Sequence, residues 1–214
     1  MRTRLKVCCI VSVAEARLAI AHGADAVGLV SAMPSGPGII PDETCAAIAR
    51  AAPPPVASVL LTSRTEASGV AEQAERIRPS AVQLVDGAAS PEAHEALRRL
   101  GIHAIQVVHV EDETALPLAQ EAARTASAVL LDSGRPSEGV LGGTGERHDW
   151  NISREIIAAL EIPVFLAGGL TPANAPEAIQ RVRPFALDVC SGVRTAGALD
   201  PTKLDAFARA MASA

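Results

Sequence analysis

Short, almost wholly apolar runs alternate along the chain with longer segments whose apolar positions recur every three or four residues. The runs Leu5–Val11, Asp25–Val30, Val56–Leu61, Ala81–Val85, Ile102–Val110, Ser127–Leu131, Pro163–Ala167 and Phe185–Val189 predict eight strands. The periodic segments predict helices over Val13–His22, Asp42–Ala52, Thr65–Arg76, Pro91–Leu100, Asp112–Ala123, Ile152–Leu160, Pro172–Val182 and Thr202–Met211. Local punctuation agrees. Ser12 and Glu15 form an S-x-x-E capping box, Gly23 stops the first helix, and Pro53-Pro54-Pro55 ends the second. Ser31 to Pro41, with Pro34, Gly36, Pro37 and Gly38, is too broken for regular structure.

Eight strand–helix units with short links and no hairpin signal imply a parallel sheet with helical crossovers. The predicted fold class is therefore α/β, a single-domain (β/α)8 TIM barrel over residues 1–214. The rival, an open doubly wound sheet, predicts an early glycine fingerprint and an acidic residue after the second strand, and the chain has neither. In a barrel, chemistry sits where strands end. Those positions carry Cys8 or Cys9, Ser31, Thr62, Val85, His109, Asp132, Gly168 and Asp188.

Composition narrows the core and the partners. Half the chain is apolar, yet aromatics are 2% and Tyr is absent, so the core is Ala, Val, Leu and Ile. A net charge of −5, without a basic block or an aromatic platform, argues against nucleic acid. No apolar run reaches the roughly 18 to 20 residues needed to span a bilayer, and Met1 to Lys6 leads into a strand rather than a signal peptide. Four cysteines, two adjacent and none in a CxxC pair, fit reduced thiols and a cytoplasmic setting. No His, Asp and Glu pattern has metal-ligand spacing, so no metal is expected.

Strand alternation places Lys6, Cys8 and Ile10 on one face and Val7, Cys9 and Val11 on the other. The second set is the helix-packing face, which turns Cys8 and Lys6 toward the barrel axis. A thiol there becomes a usable base if a cation such as Lys6 lowers its pKa; its structural alternative is a small buried hydrophobe. Asp132 ends an otherwise apolar strand, where desolvation keeps a carboxyl protonated and able to act as an acid; its alternative is a helix cap. Ala167-Gly168-Gly169 and Cys190-Ser191-Gly192 follow strands seven and eight, whose loops commonly build a phosphate site from backbone amides. The loop from Gly142 through Gly143 and Gly145 to Trp150 follows Asp132 and reads mainly as a lid that excludes water. His22, His94 and His103 are expected in solvent, His148 in a structural role, and His109 within reach of the site.

Taken together, these residues resemble the phosphoribosylanthranilate isomerase family. Lys6-Val7-Cys8 resembles that family's K-I-C-G-I opening, Leu130-Leu131-Asp132 its sixth strand, and Gly142-Gly143-Thr144-Gly145 with Asp149-Trp150 its G-G-T-G-K-x-F-D-W loop. Ala24 to Gly28 and Val82 to Leu84 resemble its second and fourth strands. Leu166 to Asn174 is similar to L-A-G-G-L-x-P-x-N, and Asp188 to Val193 to D-x-x-S-G-V. The resemblance implies a (β/α)8 barrel and a cofactor-free Amadori rearrangement in tryptophan biosynthesis. Asp132 would be the general acid and Cys8 the general base. Gly142, Gly143, Gly145, Ala167, Gly168, Gly169, Asp188, Ser191 and Gly192 would hold the phosphorylated substrate, a small sugar-amine, in a monomer or homodimer.

Three departures fall at the aglycone end. Gly36-Pro37-Gly38 stands where the family has S-P-R, Gln83-Leu84-Val85-Asp86 where it has Q-L-H-G, and His109 where it has Arg. Gly38, Val85, His109 and Arg147 are thus the candidate aglycone contacts. Two explanations compete: another cation (Arg64, Arg135 or Arg147) meets the anthranilate carboxylate, or the enzyme rearranges another phosphorylated aminosugar. A third reading is a sugar-phosphate-binding barrel without catalysis, against which stands the retention of both Cys8 and Asp132.

Overall fold

The computed structural model describes residues 2–34, 36–85, 90–134 and 147–214. Eight strands close a barrel in sequence order: β1 (Arg4–Val7), β2 (Ala26–Val30), β3 (Ala57–Thr62), β4 (Ala81–Leu84), β5 (His103–His109), β6 (Ala128–Asp132), β7 (Val164–Leu166) and β8 (Ala186–Val189). Every neighbouring pair is parallel, and β1 closes against β8 with Lys6 opposite Asp188. Helices α1 (Val13–Ala21), α2 (Asp42–Ala51), α3 (Ala67–Ile77), α4 (Pro91–Arg99), α5 (Ala115–Ala123), α6 (Trp150–Ala159), α7 (Ala175–Val182) and α8 (Pro201–Ala212) form the outer ring. No helix among the described residues is long and apolar enough to cross a membrane.

Period-2 alternation divides the apolar residues into two shells. Val27, Leu29, Leu60, Val82, Val129, Leu131 and Leu187 face the helices, against Ile48, Leu97, Ile156 and Phe207. Ala26, Val30, Val59, Leu61, Ile105, Val107 and Leu130 fill the barrel interior, with Cys8, Cys9 and Ala167. The interior also holds charge. The ammonium of Lys6, wholly buried, donates to Asp188 Oδ2 at 2.6 Å. Burial disfavours that ammonium, but the Asp188 carboxylate offsets it and holds Lys6 protonated.

The structure corrects several local expectations. β1 stops at Val7 instead of running to Val11, because Cys9 adopts φ +62° and breaks the extended run; Ile10 N–H then bonds Gly28 O at 3.0 Å. Helix α7 starts at Ala175 rather than Pro172. The preceding turn is held by Asn174, whose Oδ1 accepts from Thr171 N–H at 2.8 Å and whose Nδ2 donates to Gly169 O at 2.9 Å. A small hairpin, β9 (Arg194–Thr195) with β10 (Ala198–Leu199), follows β8 although no hairpin was expected. Its two-residue turn, Ala196-Gly197, has both φ values positive, which matches the handed twist of the strands.

His94, expected in solvent, is 1% exposed. Its ring lies between Thr125 Oγ1 at 2.7 Å and Gln106 Oε1 at 3.1 Å, and burial depresses its pKa. The capping box forms in half: Ser12 Oγ accepts from Glu15 N–H at 3.1 Å, but the Glu15 carboxylate turns to Arg194 and the N–H of Leu199.

Candidate active site

The C-terminal ends of the strands surround a cleft with a cavity volume of about 100 Å³. Cys8, Asp132, Ala167, Gly168, Gly169, Asp188, Ser191 and Val85 all line it, so the structure brings together most of the residues singled out from the sequence.

Cys8 continues the first strand past its last ladder residue, its N–H bonded to Val189 O at 2.8 Å. The residue is 6% exposed and its side chain lies against Gly28 on the neighbouring strand; a Cβ at Gly28 would lie 2.7 Å from Cys8 Sγ. Glycine there makes room for the thiol. The backbone behind it is fastened by Arg194, whose guanidinium donates to the carbonyls of Cys8, Cys9 and Gly197 and pairs with Glu15 at 3.1 Å.

Asp132 ends β6 opposite His109 on β5. Burial raises its carboxyl pKa; the Ser133 N–H bonded to Oδ1 at 2.7 Å and the nearby His109 act the other way without reversing it. The result is a carboxyl inclined to keep its proton, as an acid requires.

Between these two groups on the barrel circumference stand β7 and β8. Gly168 and Gly169 turn the chain after β7 at φ +83° and +60°, values that favour glycine. After β8, a 3-10 turn covers Ser191–Val193. Gly192 itself lies behind the lining, pressed on the neighbouring loop: a Cβ there would stand 1.9 Å from Leu170 O. Gly192→Ala must therefore move one loop away from the other. We expect kcat/KM for a phosphorylated substrate to fall by roughly 100-fold, the scale of a 1 Å misplacement, mostly through KM. Steady-state kinetics with an unchanged KM would separate Gly192 from the phosphate.

The aglycone end is less complete. Val85, Gly36 and Pro37 line the cleft, whereas Gly38 packs behind it, where a Cβ would lie 2.6 Å from Cys9 Cβ. His109 also stays out of the lining, its Nε2 directed to Val85 O at 3.3 Å. Arg147 is committed elsewhere: it pairs with Glu177 at 3.3 Å and its guanidinium stacks 3.9 Å over the Trp150 ring. Arg64 is exposed beside Gly69 on α3. Among the described residues, no arginine or lysine lines the cleft. Arg135 and the loop residues Gly142, Gly143 and Gly145 lie outside the described residues.

His148 has the structural place expected of it, with Nε2 at 2.7 Å from Ser153 Oγ. Burial lowers its pKa to about 4, against an ordinary value of about 6.5. The unfolded chain therefore takes up this proton first, and stability due to neutral His148 is lost as pH falls from about 6.5 toward about 4. In His148→Asn, urea midpoints measured across that interval should decline less steeply, with the part due to His94 remaining.

Sequence reasoning gave no role to three lining residues that carry a side-chain N–H or S–H group. Gln83, 4% exposed, follows from strict alternation along β4, Ala81-Val82-Gln83, once the interior face is fixed. Cys190 extends the Asp188 face of β8 by one pleat. Cys9 could not be placed by alternation, because its positive φ turns it out of strand register and into the cleft.

Comparison with known proteins agrees with this geometry. The family model described as N-(5'phosphoribosyl)anthranilate (PRA) isomerase matches residues 5–210. The N-(5'-phosphoribosyl)anthranilate isomerase of Haloarcula marismortui is 38% identical over 91% of this chain and 89% of its own. Among solved structures, phosphoribosyl anthranilate isomerase from Thermus thermophilus superimposes with a TM-score of 0.84 at 33% identity, covering 99% of each chain. A second isomerase structure, holding reduced 1-(o-carboxyphenylamino)-1-deoxyribulose 5-phosphate, has a TM-score of 0.79 at 28% identity, covering 99% of this chain and 100% of its own. With its closed barrel, its carboxyl and thiol in one cleft and a match that runs nearly end to end, the chain belongs to the N-(5'-phosphoribosyl)anthranilate isomerase family.

Proposed function

We propose that this chain catalyses the Amadori rearrangement of N-(5'-phosphoribosyl)anthranilate to 1-(o-carboxyphenylamino)-1-deoxyribulose 5-phosphate, in tryptophan biosynthesis. The observation that carries the reading is the shared cleft of Cys8 and Asp132, with the glycine turns after β7 and β8 on the arc between them. Asp132 protonates the ribose ring oxygen, the ring opens, and the C1–N bond becomes a protonated Schiff base. Cys8 then removes the C2 proton. The electron pair moves toward the nitrogen, giving an enolamine that tautomerises to the C2 ketone. The backbone around Gly168, Gly169, Ser191 and Gly192 holds the phosphate and so fixes C1 and C2 between the two groups. The interior pair of Lys6 and Asp188 lies beneath, fixing charge near Cys8. Four unbridged cysteines support a cytoplasmic setting.

The direct test is the decay of phosphoribosylanthranilate fluorescence on adding purified protein; catalysed decay to the ketone product is expected. The described cleft lining lacks an arginine, which favours one second reading: a related phosphorylated aminosugar rearranged by the same acid and base. No catalysed decay, together with protection of the fold by a phosphosugar, would replace the first reading with the second.

A further inference from the structure

Two thiols in the cleft have no part in that isomerisation. Cys9, 5% exposed, and Cys190, half-buried, both line it, and their Sγ atoms lie 2.7 Å apart although 181 positions separate them in the chain. Both are free thiols. Their meeting is built by the backbone. Cys9 is held at φ +62°, where a side chain is rarely found, and this is what swings its thiol toward the end of β8. Arg194 secures that turn through the carbonyls of Cys8 and Cys9.

The two sulfurs are also unequal. The hydrogen bond shared with Cys9 lowers the Cys190 pKa, burial opposes this, and the Arg194 guanidinium adds to the lowering, so Cys190 titrates below an ordinary thiol. Cys9 moves the other way, raised by its hydrogen bonds to Cys190 and Cys8 and by burial. One thiol inclined to ionise beside a second that can resolve it is the arrangement of a redox-active pair.

We propose that Cys9 and Cys190 form a reversible dithiol–disulfide site that small hydroperoxides oxidise and that gates the cleft. The Cys190 thiolate attacks the distal oxygen of the hydroperoxide; the O–O bond breaks, an alcohol or water leaves after taking up a proton, and Cys190 becomes a sulfenic acid. Cys9 sulfur then attacks the sulfenic sulfur. The S–S bond forms, and the departing hydroxide takes the Cys9 proton as water. Two thiols are oxidised and one peroxide is reduced by two electrons. A dithiol reductant reverses the step. The bond would tie the ends of the neighbouring strands β1 and β8 together in the cleft wall beside Cys8, and would fix the residue against which Gly38 packs.

The test is to treat the intact protein with limiting hydrogen peroxide and count free thiols after denaturation. The count should fall from four to two, with a bridged peptide pair assigned to Cys9 and Cys190 by fragmentation, and dithiothreitol should restore all four. Turnover of phosphoribosylanthranilate should drop at least tenfold in the bridged form and return on reduction. Retention of four thiols, a bridge between Cys8 and Cys9, or sulfinic acid without a bridge would each overturn the site. Full turnover in the bridged form would overturn its gating role. In Cys190→Ser no reversible bridge should form; one that does form refutes the pairing. The thiol count and the peptide map do not depend on isomerase activity, so their failure is distinct from failure of the proposed function.

Discussion

Asp132→Asn should lower kcat by about 10²–10⁴-fold, the range that general acid catalysis contributes, while leaving KM nearly unchanged. Asparagine has the same shape and its Oδ1 can still accept the Ser133 N–H, so cleft geometry is retained and only the proton is lost. The pH profile makes the test specific. A general acid works in its protonated form, and burial raises the pKa of this one. In the parent, activity should therefore fall as pH rises through that raised value, and the Asn variant should lack this limb. Stability should fall over the same rise in pH. A carboxyl whose folded pKa is raised above its unfolded value favours the fold below the unfolded value, and that benefit is lost as pH rises through the folded one. Asparagine has no charge to desolvate, so the variant should be at least as stable as the parent at neutral pH in urea titration. A variant with near-parent turnover would remove Asp132 from the mechanism.

Cys8→Ser should cost a similar factor, about 10²–10⁴-fold in kcat, for a different reason. The serine hydroxyl occupies nearly the same space but is a far weaker acid than a thiol, so its conjugate base is scarcely populated at neutral pH. A second variant separates chemistry from position. In Gly28→Ala the thiol remains, but the new Cβ would stand 2.7 Å from Sγ and 3.1 Å from Cys8 Cα, so Cys8 must shift. A base displaced by that much should lose roughly 100-fold, with far-ultraviolet circular dichroism unchanged. If Gly28→Ala is fully active while Cys8→Ser is not, the thiol acts but does not need its present seat. If both are fully active, Cys8 is not the base.

The barrel was legible in the sequence because strand period and helix period alternate with no exception long enough to confuse them. Cys8 and Asp132 were legible for the same reason: both sit at the ends of apolar strands, where a polar group has few structural duties. Features set by single dihedral angles or by distant partners were not. The positive φ of Cys9 cut β1 short and placed a third thiol in the cleft. His94 was assigned to solvent because its partners, Gln106 and Thr125, lie on other elements. Arg147 looked available for a ligand carboxylate until its pairing with Glu177 and its stacking on Trp150 were apparent. Lys6 reads from the sequence as a candidate cation beside Cys8, and the strand pattern did not show that its ammonium is bound to Asp188, 182 positions away.

Barrel closure between β1 and β8 has a consequence for synthesis on the ribosome. Lys6, Cys8 and Cys9 lie on or just after the first strand of the barrel, yet their partners Asp188, Val189, Cys190 and Arg194 lie on the eighth strand and the turn after it. Throughout elongation the first strand holds a lysine destined for a dry interior with no counter-charge, so it has reason to stay hydrated and unpaired. The order of translation thus opposes the order of need: within the barrel, the cleft cannot assemble before β8 has been made. A nascent chain stalled before Asp188 would carry the candidate base and acid without a closed barrel, and synthesis of residues 188–214 should convert a protease-sensitive chain into a resistant one.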